Sequence, residues 1–137
     1  MHDDVAISPG SAAFDYELEI AAVIGTPGSD IAAADADRHI AGYTVLSDWS
    51  ARDLQAREMR LNLGPAKGKD TATSIGPVLV TPDELEPYRA GNAYDLAMTA
   101  SVNGKLYSVG NFSTIFWNFG ALIEHAPTVG RSCAPGM

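Results

Sequence analysis

Three carboxylates in this chain are placed where a hard cation could use them. Glu17 and Glu19 lie two residues apart in Phe14-Asp15-Tyr16-Glu17-Leu18-Glu19-Ile20, where apolar and acidic residues alternate. A period of two predicts a half-buried strand with both glutamates on one face, about 7 Å apart. Two carboxylates side by side repel, and a divalent ion such as Mg²⁺, which prefers carboxylate oxygens, would relieve the repulsion. A bare E-x-E is equally the solvated face of a strand. Asp48 supplies a third acid in Leu46-Ser47-Asp48-Trp49-Ser50, where a strand is expected to give way to a helix. Such junctions commonly carry sites, although an aspartate there also suits a turn.

Arg52 and Gln55 follow at i,i+3 spacing, so they share a helix face and with Asp48 could line one pocket. Lys67 and Lys69 sit in Gly64-Pro65-Ala66-Lys67-Gly68-Lys69-Asp70, with Thr71, Thr73 and Ser74 beyond them. A loop lysine beside an acidic cluster can hold an anionic substrate group or a developing oxyanion. The three histidines are less promising: His2 is terminal, His39 falls at a helix-to-strand junction, and His125 follows the last helix. No nucleophile elbow, H-E-x-x-H, paired CxxC, P-loop or dinucleotide fingerprint is present. Cys133 reads as incidental.

The positioning elements follow from pattern. The first strand is predicted from Phe14 to Ile24. A short helix capped by Asp30 runs over Ile31 to Arg38, and a second strand runs from Ile40 to Leu46. Ser50 is expected to cap a helix from Ala51 to Arg60, with an Asp53–Arg57 i,i+4 pair. Leu61 to Gly76 reads as a loop and Pro77 to Thr81 as a short strand. Pro82 suits the first turn of a helix. Leu96 to Val102 and Lys105 to Val109 form a hairpin across Asn103-Gly104. A last helix is predicted from Ser113 to His125, with Ile115, Phe116, Phe119, Leu122 and Ile123 as its apolar stripe.

The 137 residues are 46% hydrophobic and 19% charged, an ordinary globular balance of one-domain length. A net charge of −8 makes a phosphate-backbone binder a poor reading. No apolar run suits a membrane span, no basic signal segment opens the chain, and one cysteine fits a reducing cytoplasm.

Taken together, the E-x-E strand, Gly42-Tyr43-Thr44-Val45-Leu46-Ser47-Asp48-Trp49-Ser50-Ala51-Arg52-Asp53-Leu54-Gln55, the Gly64 to Asp70 loop and Gly76-Pro77-Val78-Leu79-Val80-Thr81 resemble the fumarylacetoacetate hydrolase family in order and spacing. The resemblance covers roughly residues 10 to 127. It implies a β-rich α+β fold, a truncated mixed β-sandwich roll with short helices. The implied plan is a lead-in over 1–13, a partial catalytic domain over 14–127 and an irregular tail over 128–137. It also implies Mg²⁺ or Mn²⁺, with Ca²⁺ as a further option, on Glu17, Glu19 and Asp48. Lys69, Gln55 and Arg52 take catalytic positions, and Gln55, Lys69 and Thr73 take substrate-binding ones.

The implied reaction is metal-dependent C–C cleavage in a small 1,3-diketo or 2-oxo acid of acylpyruvate type. Two alternatives stand beside it: an oxaloacetate-type decarboxylase, and a metal-binding homologue of weak activity with a structural or partner role. The sequence departs from the family pattern in three places. The upstream histidine–glutamate lid pair has no equivalent here, the C-terminal P-G-D and T-G-T turns are absent, and Met59 takes the place of a substrate-binding tyrosine.

The partners implied are a small oxo acid and a second copy of the chain, with no nucleic acid and no membrane. If lost strands leave sheet edges uncovered, a homodimer restores cover, and its thermal midpoint rises with protein concentration. Melting and sedimentation over a hundredfold concentration range check this, and a concentration-independent monomer counts against it.

Overall fold

Alternating and β-branched segments give short strands in this chain, and Gly, Pro and Asn punctuate them closely. The computed structural model describes residues 4–126. His2, Cys133 and the tail over 128–137 lie outside these residues. The strands are β1 (Phe14–Asp15), β2 (Glu19–Ile24), β3 (Ile40–Asp48), β4 (Ser50–Ala51), β5 (Thr73–Ile75), β6 (Arg89–Ala90), β7 (Ala93–Tyr94), β8 (Ala97–Val102) and β9 (Lys105–Asn111). The helices are α1 (Arg52–Glu58), α2 (Pro82–Leu85) and α3 (Phe119–His125), with 3₁₀ turns over Ala33–Arg38, Met59–Leu61, Glu86–Tyr88 and Phe112–Thr114. This is a strand-rich α+β fold with short helices.

The chain divides into two units, residues 4–19 with 45–77 and residues 20–44 with 78–126. In the first, β1 pairs antiparallel with β4, Phe14 opposite Ala51 and Asp15 opposite Ser50. The end of β3 pairs with β5, placing Leu46, Ser47 and Asp48 opposite Ile75, Ser74 and Thr73. Phe14 stacks on Trp49 at 5.4 Å between ring centroids, and Trp49 Nε1 donates to Ser74 Oγ at 2.8 Å. Asp53 ties down the segment leading to β1 by accepting from Ser11 Oγ at 2.7 Å and Ala12 N at 3.0 Å.

The second unit holds the apolar core. Ile24, Ile31, Ile40, Leu85 and Ile123 are buried there around an aromatic cluster. Tyr43 meets Tyr94 edge-on at 5.6 Å and Phe119 at 5.5 Å, and Phe112 packs on Phe119 at 5.9 Å. Offset and edge-to-face pairs of this kind add to plain area burial. Burial lifts the Tyr43 hydroxyl pKa well above the ordinary tyrosine value, and Tyr94 adds to the shift. The β8–β9 hairpin turns at Asn103 and Gly104, both at positive φ (52° and 76°), as a type I′ turn requires.

Several predicted elements change. The first strand breaks over residues 16–18, because Phe14 and Asp15 pair with β4 whereas the Glu17 N–H turns to Ser47 Oγ. Ser50 is a fully buried β4 residue and caps nothing; helix α1 starts at Arg52 with no side-chain cap. Asp30 sits at φ 52°, and only a 3₁₀ turn forms from Ala33. The predicted loop contains β5, because Thr73–Ile75 finds the end of β3 as a partner. Pro77 to Thr81 contributes a single bridge, Tyr43 to Val80, leaving Val78 and Leu79 exposed.

The last helix begins six residues later than predicted. Asn118 accepts from Ala121 N and starts α3 there, while Asn111 accepts from Ser113 N in a separate turn. Phe116, placed on the predicted stripe, is 77% exposed. Phe112→Ala is therefore expected to cost about 3–5 kcal/mol and Phe116→Ala under about 0.5 kcal/mol, read from urea midpoints.

Candidate functional site

Within the first unit, four carboxylates (Asp15, Glu17, Glu19 and Asp48) gather around two cations (Arg52 and Lys69). Lys69 Nζ donates to Glu17 Oε1 at 2.5 Å and lies 3.1 Å from Asp48 Oδ2. Arg52 places Nη1 2.9 Å from the same Glu17 oxygen and Nε 2.9 Å from Asp15 Oδ2. Its Nη1 also donates to Gln55 Oε1 at 3.0 Å, as the shared helix face predicts. Ser50 Oγ donates to Glu17 Oε1 at 3.3 Å. Thr73 stands directly opposite Asp48 in the β3–β5 ladder.

Charge explains the titration behaviour. The Lys69 ammonium, then Arg52, hold the Glu17 carboxyl below the ordinary glutamate value against the opposing effect of burial. Glu19 moves the other way: burial raises it, and the negative charges of Glu17 and Asp48 add to the rise. Burial alone would lower the Lys69 pKa, but hydrogen bonds to Glu17 and Asp48 outweigh it and hold the ammonium above the ordinary lysine value. By formal charge, Asp15, Glu17, Glu19 and Asp48 set against Arg52 and Lys69 leave a surplus of two negative charges.

That donor set suits a hard divalent cation, which prefers several carboxylate oxygens and completes its shell with water. Among the described residues, no three His, Cys, Asp or Glu side chains are drawn together tightly enough to enclose an ion. Lys69 is bonded to one oxygen of Glu17, Oε1, and to one of Asp48, Oδ2.

Three residues around this cluster escaped the sequence reading. Asp15 reads as one of several acids alternating along a strand, and nothing in the pattern links it to Arg52. Ser50 reads as a helix cap, whereas its hydroxyl serves Glu17. Glu58 falls unremarked inside the helix predicted from Ala51 to Arg60, yet its carboxylate accepts three backbone N–H groups from the lysine loop. Lys67, considered beside Lys69, turns outward to Asp70 at 2.6 Å. Among the described residues no helix is long and apolar enough to cross a membrane.

The sequence pattern described as fumarylacetoacetate (FAA) hydrolase, C-terminal, matches residues 1–134. The chain belongs to the fumarylacetoacetate hydrolase family. It is 39% identical over 110 residues to a human mitochondrial oxaloacetate tautomerase, covering 80% of this chain and 33% of that protein. Its structure resembles that of a fumarylpyruvate hydrolase from Pseudomonas aeruginosa solved with Mn²⁺ and pyruvate. The identity is 26% and the TM-score 0.81, over 97% of this chain and 55% of that one. A 5-carboxymethyl-2-hydroxymuconate delta-isomerase from Mycobacterium smegmatis is 31% identical with a TM-score of 0.74, over 93% and 46%. The chain thus spans about a third of the curated relative it matches and about half of the solved ones.

Arg52→Met removes one cation from Glu17 and leaves Asp15 without its bonded partner. Solvent screens these partly exposed pairs, so the expected loss is about 1 kcal/mol at pH 7. Glu17 has a lowered native pKa, so its contribution is complete above the unfolded value near about 4.3 and fades as pH falls through the native one. The gap between parent and variant in urea unfolding should therefore close on acidification. A gap that widens towards low pH contradicts the assignment.

Proposed function

We propose that this chain forms the metal- and substrate-holding part of a divalent-metal-dependent enzyme that cleaves a C–C bond in a small 1,3-diketo or 2-oxo acid of acylpyruvate type. The observation that carries the reading is the formal surplus of negative charge around Glu17, Glu19 and Asp48, beside a charged lysine. Mg²⁺ or Mn²⁺ is the ion, with Ca²⁺ a further candidate. The Mn²⁺ in the related fumarylpyruvate hydrolase structure supports this choice. When bound, such an ion supplies Lewis-acid polarisation of the oxo acid's adjacent oxygens.

The protein's own groups do the rest. Glu17, Glu19 and Asp48 hold the ion, and Arg52 fixes Glu17 by sharing its Oε1 oxygen with Lys69. Lys69 stays protonated at neutral pH and balances the negative charge that gathers on the substrate oxygen as an enolate forms. Gln55 offers its amide, and Thr73 its hydroxyl, to the substrate's carboxylate. A second copy of this chain is the protein partner in this reading. The exposed Leu106, Tyr107 and Val109 on β9 support it by leaving apolar surface to cover.

A second reading has oxaloacetate as substrate, in tautomerisation or decarboxylation. The 39% identity to an oxaloacetate tautomerase favours it. Both reactions pass through an enolate, so the same residues serve either. A metal-binding protein of weak activity is the outcome if no other group replaces the family's acid–base pair, which typically contributes about 10²- to 10⁴-fold.

Two measurements test the proposal. Mn²⁺ calorimetry should show binding that is weaker by about tenfold or more in Asp48→Ala, because the variant lacks one carboxylate ligand. Turnover of acetylpyruvate and oxaloacetate should require Mg²⁺ or Mn²⁺ and stop with EDTA. Unchanged Mn²⁺ affinity in the variant, or turnover indifferent to EDTA, overturns it.

A further inference from the structure

Glu58 closes helix α1, and its carboxylate is bonded to backbone N–H groups of the lysine loop. Its Oε1 accepts from Lys67 N at 2.7 Å, and its Oε2 accepts from Ala66 N at 2.9 Å and Gly68 N at 3.0 Å. Three successive backbone N–H groups around one carboxylate form an anion-holding concavity, here filled by the protein's own side chain. The bonds from Ala66 and Gly68, followed by that from Lys67, hold the Glu58 carboxyl below the ordinary glutamate value.

Two further contacts bind the same loop to helix α1 and to the residue just before it. Gly68 O accepts from Ala51 N at 2.8 Å. A Cβ on Gly68 would stand 2.8 Å from the backbone N and Cα of Gln55, so only glycine allows this approach. The next residue is Lys69. A lysine carries its charge on a flexible four-carbon stem, so the place its ammonium can reach is set by where its backbone is anchored.

We propose that Glu58 is a positioning residue: by gripping Ala66, Lys67 and Gly68 it delivers the Lys69 ammonium onto Glu17 and Asp48, and so sets how strongly that cation competes with an incoming divalent ion. The competition rests on the metal-holding role proposed above, whereas the anchoring of the loop does not. Releasing the loop lets Lys69 leave the carboxylates, so metal binding tightens while turnover falls. Simple loss of a negative charge near the site acts in the opposite direction and weakens metal binding.

The test uses the full chain as Glu58→Gln, Lys69→Met and the double variant, with Glu58→Asp taking the place of the glutamine should that variant not fold. Glutamine keeps one acceptor oxygen and turns an N–H₂ group towards backbone donors. Without metal, amide exchange at Ala66 to Gly68 should quicken by about tenfold or more in Glu58→Gln, with the β8–β9 amides unchanged. The Lys69 ammonium resonance, protected by its ion pairs, should be lost. With Mn²⁺, Lys69→Met and Glu58→Gln should each bind about threefold or more tightly than the parent, and the double variant no more tightly than Lys69→Met alone.

Unchanged loop exchange and an unchanged Lys69 resonance overturn the proposal, as does weaker Mn²⁺ binding in Glu58→Gln or additivity in the double variant. If loop and lysine respond as stated but the parent binds no Mn²⁺, the metal-holding reading fails and the anchoring role of Glu58 stands.

Discussion

One oxygen of Glu17 accepts from Lys69, Arg52 and Ser50, three residues carried by a loop, a helix and a two-residue strand. The unit built around it has little else to hold it. Ala51 is its one buried hydrophobic residue among the described residues, and its strands are two or three residues long apart from the end of β3. An apolar replacement at Glu17 would strip Lys69 and Arg52 of the carboxylate they share, leaving Asp48 to the first and Asp15 to the second. The charges that suit a metal are thus also the charges that hold this unit's elements in register.

The second unit is organised on the opposite principle. Tyr43, Tyr94, Phe112 and Phe119 meet at ring distances of 5.5 to 6.2 Å, with aliphatic side chains packed around them. Apolar burial is non-directional and tolerant of small displacement, whereas charge-assisted hydrogen bonds demand geometry. The chain therefore combines a cohesive apolar body with a polar one whose shape is set by a few directional bonds.

The sequence is informative where local pattern and partner agree. The Asn103-Gly104 hairpin, the Asp53–Arg57 pair and the Arg52–Gln55 face are all properties of neighbouring residues. The family resemblance is equally legible, because E-x-E and D-W-S-A-R-D-x-Q are contiguous strings. What escapes is long-range. The break after Asp15 depends on a partner strand at Ser50–Ala51, and the bond from Ala66 to Glu58 depends on how the loop folds back. Ser50 and Asn118 show a related failure. Both are good caps by composition, but Ser50 is claimed by a half-buried carboxylate, whereas Asn118 is left at liberty to start α3.

The placement of the chain's two tryptophans has a spectroscopic consequence. Trp49 stacks on Phe14 and donates to Ser74 within the charged unit, while Trp117, in the aromatic-cored unit, is 62% exposed. The first indole loses its ring partner and its hydrogen bond when its unit opens; the second is already largely in water. Intrinsic fluorescence should therefore be dominated, in its response to unfolding, by Trp49. The protein carries a native optical label on the polar unit, and comparing its signal with backbone circular dichroism separates loosening of the carboxylate cluster from melting of the aromatic core.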